Sequence, residues 1–302
     1  MSQWIMRQHT LLASSMLVAT LGLTGCGGDG SEVQVNVGTP VATGDVIALT
    51  STGQLISFNR AHPDPANTPS DLISSKATNG YAGSDKLLAI DYRPSDGKLY
   101  GISQKGSIYL ADPSTGSVTF LRSLQADPSD LTIPYAGLFN GDTAKLSMDF
   151  DPQTGRLRIS GIDGQNLSVD VDSGYTITDP VINLDAQVSS TAYDINNGIS
   201  SLYGIDLNKN TLVEINPNNS TLISMTLLGI NADGTSGFDI DTNTHIGYAM
   251  MKNSNGIGFY KIDLTTITTT PIAALLGYLS KNKDLDVDVY SVALKPTVPS
   301  SI

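Results

Sequence analysis

One cysteine, one tryptophan and three histidines are all that 302 residues offer of the side chains most used for redox, stacking and metal chemistry. With Cys26 alone, no disulfide can form within the chain and no thiol pair is available for exchange or zinc binding. Positive charge is sparse as well. Lys and Arg number 17 against 29 Asp and Glu, a formal charge of −12, and no basic run occurs. Phosphate backbones need a basic face, so nucleic acid is excluded as a partner. No Gly-x-Ser-x-Gly motif is present, and beyond the first 26 residues only His62 and His245 remain, far apart. Hydrolytic triads therefore find little material. His245 reads as a strand residue beside Ile246, packed or partly exposed rather than a base. Charged residues make up only 15%, whereas Gly reaches 29 and Ser, Thr, Asn and Asp are abundant, which suits many short strands better than long helices.

The front end is of a different kind. Arg7 supplies a positive start, Leu11 to Leu23 an apolar run, and Leu23-Thr24-Gly25-Cys26 closes it. This resembles the lipobox of bacterial lipoproteins, which implies a signal peptide over residues 1–25, acylation of Cys26 and a partner in the membrane itself. The second mature residue would be Gly27 rather than the Asp that resembles an inner-membrane retention signal, so an outer-membrane location is expected. Residues 26–44, rich in Gly, Thr and Val, read as a flexible tether. Residues 45–296 are the expected folded domain and 297–302 a tail.

That domain is organised around Leu87 to Leu121, four short apolar stretches separated by Arg93-Pro94-Ser95-Asp96-Gly97, Ser103-Gln104-Lys105-Gly106 and Asp112-Pro113-Ser114-Thr115-Gly116. Each turn ends in Gly, which takes positive φ without penalty, so the unit is an antiparallel meander. Such a sheet cannot cover both of its own faces and needs like neighbours. Three follow, with first strands at Leu146 to Phe150, Ala192 to Ile195 and Gly237 to Ile240, each with an Asp near its end. Asp91, Asp149, Asp194 and Asp239 are spaced by 58, 45 and 45 residues, a period that marks a β-propeller. The termini complete one more unit. Tyr290 to Lys295 is a first strand with no sequel, while Val46 to Leu49 and Gln54 to Phe58 are second and third strands with no first. Joining them gives an all-β, five-bladed propeller of four-stranded blades closed by its two ends, with six blades as the alternative if a long loop hides a sheet.

The stretches Ile90 to Gly101, Ile108 to Gly116 and Ala48 to Phe58 resemble the bacterial family known as domain of unknown function 4394, over roughly residues 45 to 296. The resemblance implies a secreted or surface propeller-like domain and carries no established activity. It departs where Asp194 is followed by Ile195-Asn196-Asn197-Gly198 without Arg-Pro, and where Ala293 replaces the repeated Asp.

Two roles suit the four repeated Asp residues. Around a propeller axis they form a ring able to hold a hard cation such as Ca²⁺ through oxygen ligands. Alternatively each caps its own turn, which is the commoner use of Asp beside a turn and is weighted above the ring. Apart from Ca²⁺ no cofactor is expected. Asp239-Ile240-Asp241-Thr242-Asn243-Thr244 begins like an EF-hand loop but fails at its sixth and twelfth positions. Asp170, Asp172, Asp284, Asp286 and Asp288 alternate with other residues as half-exposed strands do. Three connections exceed what a blade needs: 60–85, 122–143 and 272–286. The second holds Tyr135 and Phe139, which could contact a protein or glycan partner or fold over their own blade. Ala273 to Leu279 suggests one or two helical turns. The composition favours a binding or scaffold module over an enzyme; a carbohydrate-active enzyme using paired carboxylates and a cation-stabilised structural module stand as alternatives.

Overall fold

A computed structural model of the chain describes residues 40–61, 72–81, 83–131, 134–138, 146–182, 185–232, 236–265, 272–280 and 288–296. Cys26, His62, Phe139, Asp284 and Asp286 lie outside the described residues. No helix occurs among those described; there are twenty-one strands. In chain order the first three are β1 (Val46–Thr50), β2 (Gln54–Phe58) and β3 (Leu72–Ala77). The next four, β4 (Leu87–Tyr92), β5 (Leu99–Ser103), β6 (Ser107–Ala111) and β7 (Val118–Ser123), form blade one. After the two-residue β8 (Gln125–Ala126), blade two comprises β9 (Leu146–Phe150), β10 (Leu157–Gly161), β11 (Asn166–Val169) and β12 (Tyr175–Thr178). Blade three is β13 (Val188–Asn196), β14 (Ile199–Asp206), β15 (Thr211–Ile215) and β16 (Leu222–Leu227). Blade four is β17 (Ser236–Asp241), β18 (Ile246–Asn253), β19 (Gly256–Asp263) and β20 (Ala273–Ser280). β21 (Val289–Leu294) then pairs with β1 to head blade five, in the order β21-β1-β2-β3.

The closure matches the sequence expectation residue for residue. Val46 lies opposite Leu294, Ile47 opposite Ala293 and Ala48 opposite Val292, antiparallel. The five innermost strands touch in the cycle β4, β9, β13, β17, β21 and back to β4. This is a five-bladed propeller, and the sixth blade is not needed. The long connections proved to hold ordinary strands: β3 lies within 60–85 and β20 within 272–286, each the outer strand of its blade. β20 corrects the helical expectation for Ala273 to Leu279. Its residues favour helix locally, but pairing to β19, with two irregularities in register, satisfies their backbone instead. β8 crosses to the next blade and pairs parallel with β12, so an otherwise bare outer edge is covered.

Apolar clusters fill the seams between blades. Tyr100, Ile102 and Ile108 of blade one meet Met148, Phe150 and Leu157 of blade two. Phe58 of blade five packs edge-on against Phe259 of blade four with ring centroids 5.1 Å apart. Each fully buried side chain of this size contributes about 1.5–3 kcal/mol. The seam between blades two and three differs. Its apolar cluster is drawn from blade three and from Ile182 and Ala186 in the connection, with no member from β9–β12. Polar groups of blade two face it instead: Ser147 accepts from the Thr191 amide at 2.8 Å, and Ser160 bonds Thr191 at 2.9 Å.

The Gly-terminated turns behave as their sequence requires. Gly116 has φ +78°, and an added Cβ would lie 2.4 Å from the Ala77 carbonyl oxygen. Asp112, at the head of that turn, accepts hydrogen bonds from the Ser114 amide and hydroxyl and from the Thr115 hydroxyl. Asp170 caps the equivalent turn of blade two, and Asp151 caps the turn between β9 and β10 in the same way. Asp170 and Asp172 are therefore turn residues rather than members of a strand.

Candidate functional site: an axial carboxylate cluster

Three of the four repeated Asp residues meet. Asp91, Asp149 and Asp239 are buried, and one carboxylate oxygen of each lies within 4.8 Å of the others. They stand near the C-terminal ends of innermost strands, below a cavity of about 220 Å³ that Arg60, Asp241 and Lys295 also line. Their backbone partners explain the convergence. The Tyr92 amide donates to Asp91 at 2.7 Å, and the Phe150 amide of the next blade donates to its other oxygen at 2.9 Å. Asp239 does the same with Ile240 and, across the closing seam, with Leu294, both at 2.6 Å. Asp149 accepts from the Tyr193 amide of blade three. The three carboxylates thus tie blade one to two, two to three and four to five, and turn capping falls to a separate set of Asp residues.

Asp194 is not in the cluster, and strand register shows why. Asp91 lies opposite Tyr100, Asp149 opposite Arg158 and Asp239 opposite Tyr248. In blade three the matching residue is Ala192, opposite Tyr203; Asp194 pairs with Ser201 two residues further along. Leu202-Tyr203-Gly204-Ile205 repeats Leu99-Tyr100-Gly101-Ile102, so register could have been read from the second strand rather than from the acidic residue. Asp194 instead faces His245, whose Nδ1 lies 2.8 Å from Oδ2. His245 is not in a strand, correcting the sequence reading: it ends the turn between β17 and β18 with φ +55°. The left-handed backbone there turns the ring toward blade three.

Burial sets the protonation of the cluster. It pushes the Asp91 carboxyl up to about 6, against hydrogen bonds from Asp149 and from the Phe150 and Tyr92 amides that act to lower it. Asp149 is held well above the usual carboxylate range by burial, then by the charges of Asp91 and Asp239. Asp239 is raised by burial and by Asp91. Ionised carboxylates this close repel one another, which adds to burial in favouring their protonated forms.

Residues equivalent to one another ring the rim two positions beyond the axial site: Arg93, Asp151, Asp194, Asp241 and Lys295. Four reach the next blade. Arg93 forms a paired contact to Asp172 at 2.9 and 2.7 Å, Asp151 accepts from Ser200 at 2.6 Å, Asp194 holds His245, and Asp241 accepts from Arg60 at 2.7 Å. Tyr135, for which partner contact and folding over its own blade both stood open, is half-buried against the core between blades one and two. Asp241 ends β17 and accepts from the Asn243 amide of the turn that follows, consistent with the failed EF-hand pattern.

Fold and axial site together define a closed, five-bladed propeller of acidic character. The profile of the family described as Domain of unknown function (DUF4394) matches residues 62–285, and the chain belongs to that family. No curated protein matches it. Among solved structures it is similar to a structural-genomics protein of unknown function from Bacteroides thetaiotaomicron VPI-5482, at 11% identity and TM-score 0.49, covering 89% of this chain and 67% of that one. It is also similar to a chain of a nidogen/laminin complex, at 13% identity and TM-score 0.47, with coverage of 83% and 97%. The hydrazine synthase of Kuenenia stuttgartiensis aligns at 13% identity and TM-score 0.40 over 67% of this chain, which spans only 54% of that one.

Proposed function

We propose that the protein is a lipid-anchored binding module of the bacterial envelope, held at Cys26 in the outer membrane and presenting the axial mouth of its propeller to a protein or glycan ligand. The observation that carries the binding reading is the cavity over the axial cluster, lined by charged residues, by Thr242 and Asn243 and by prolines and aromatic residues at and just beyond the ends of the innermost strands, the arrangement in which recognition residues are usually mounted. The lipobox supports the anchor. Two measurements test the reading. Palmitate labelling should mark the wild type and not Cys26→Ser, and label in the variant or none in either removes the anchor. Amide chemical-shift mapping with pools of envelope saccharides and peptides should place shifts around Thr242, Asn243 and Lys295. Shifts in none of the pools, or confined to the blade sides, remove the axial binding site.

A second reading rests on the convergence itself: Asp91, Asp149 and Asp239 offer a hard cation three oxygens, and Ca²⁺ suits such a donor set. The cation would stabilise the ring by relieving the repulsion among them. A rise in melting temperature with Ca²⁺ that chelator reverses and Asp149→Asn abolishes supports it. An unchanged melting temperature in Ca²⁺ well above physiological levels counts against it.

A further inference from the structure

Away from the axis, the polar seam between blades two and three opens into a cleft of about 450 Å³ whose floor is Arg158. Arg158 breaks the internal symmetry of the ring. The residue opposite the axial position is Tyr in blades one, three and four and Ile47 in blade five; in blade two alone it is Arg. Only 7% of its side chain is exposed, and burying a guanidinium is costly unless its N–H groups are used. They are held in a fixed direction: Nε donates to the Tyr193 hydroxyl at 2.6 Å, Nη1 to Asn166 at 2.6 Å, and Asp179 lies 3.5 Å away. Alone, Arg158 would be a bolt between blades.

Arg156 beside it has no such employment. Half-buried on the same wall, it donates one bond to the Ser168 carbonyl at 3.0 Å and forms no ion pair among the described residues. The two carboxylates that share the cleft are already engaged. Asp151 accepts from the Gln153 amide and from the Thr154 and Ser200 hydroxyls, and Asp179 from the Ser168 hydroxyl at 2.5 Å besides Arg158. The cleft therefore offers the Arg156 guanidinium, which holds no carboxylate within ion-pair distance among the described residues although its charge reaches Asp127, the side-chain amides of Gln153 and Asn218 at its mouth, and an apolar flank in Ile199, which is 68% exposed. A fork suits a carboxylate, the amides suit hydroxyls, and the aliphatic flank suits the C–H face of a ring.

We infer that this inter-blade cleft binds a small polyhydroxylated carboxylate of the sugar-acid class, with the carboxylate on Arg156 and the hydroxyls on Gln153 and Asn218. The site is separate from the axial mouth, and either can fail without the other. Calorimetry on the intact folded chain, with galacturonate, glucuronate and gluconate each compared with galactose, tests it. At least one acid should bind, and galactose, which differs from galacturonate by the carboxylate, should bind about tenfold more weakly or not at all. Arg156→Gln should weaken the acid by about tenfold or more and Asn218→Ala by less; the melting temperature should be unchanged in Asn218→Ala, whose side chain is exposed, and fall only slightly in Arg156→Gln, which gives up the bond to the Ser168 carbonyl. Failure of all three acids at about 10 mM, equal binding of galactose, or full binding by Arg156→Gln would overturn the assignment.

Discussion

The Leu294 amide donates to the Asp239 carboxylate at 2.6 Å, joining the last strand of the chain to the innermost strand of blade four. β21 is thereby fixed on two sides, by β1 through the sheet and by Asp239 through a side chain. Asp239→Ala leaves two buried amides, of Ile240 and Leu294, without their acceptor and should cost about 1–3 kcal/mol. Asp239→Asn keeps one acceptor oxygen and should cost less. Hydrogen exchange at Leu294 is the direct check: it should quicken in the Ala variant while amides of blade two stay protected, and unchanged exchange would refute the tie.

Stability should depend on pH in the direction opposite to that of salt-bridged carboxylates. Asp91, pushed up to about 6, binds more protons folded than unfolded across the window from about 4 to about 6, so unfolding free energy falls as pH rises through it. Asp149 and Asp239, also raised, extend the decline to higher pH. Urea titrations at pH 5 and 8 should show the protein weaker at 8, with the gap narrowed in Asp149→Asn. A cluster that gains stability between those values would contradict the protonation given above.

Two glycines with nearly equal φ separate backbone strain from close approach. Gly97, at φ +66°, has nothing within 4 Å of an added Cβ, whereas Gly116 at +78° has the Ala77 carbonyl oxygen at 2.4 Å. Gly97→Ala should cost about 1 kcal/mol for the left-handed backbone alone. Gly116→Ala forces blade one away from the outer strand of blade five and should cost clearly more. Equal losses in chemical denaturation would show that the outer strands do not press on one another there.

His245 and Asp194 should prove coupled. The pair bridges blades three and four, with 29% of the His and 8% of the Asp side chain exposed. A double-mutant cycle to Ala at neutral pH should return about 0.5–1.5 kcal/mol of interaction. Additive single-mutant effects would mean that the ring sits at Asp194 without holding it.

Much of the fold was legible because its signals are local. Gly97, Gly106 and Gly116 mark turns by backbone necessity, the apolar stretches between them have strand length, and the orphaned strands at the two ends can only complement one another. Local reading failed where a distant partner decided the outcome. Ala273 to Leu279 has helical composition, yet β19 offered it an open edge. Asp194 has the right type and interval for the axis, but a longer β13–β14 hairpin, turning at Asn197 and Gly198, carries it two residues past and leaves Ala192 in its place.

The amino-acid sequence by itself determined the repeat, the number of blades, the stitching of the termini and the acidic residue on three innermost strands, since these follow from spacing and from what Gly and alternating apolar residues permit along one chain. Tertiary structure alone decided that three of the Asp residues share one buried site while the fourth turns to a histidine, and that Arg158 fills a seam that apolar residues fill elsewhere. Those outcomes depend on register between strands tens of residues apart. A shift of two residues keeps a side chain on its face of the sheet but moves it about 7 Å along the strand, enough to leave one site and enter another.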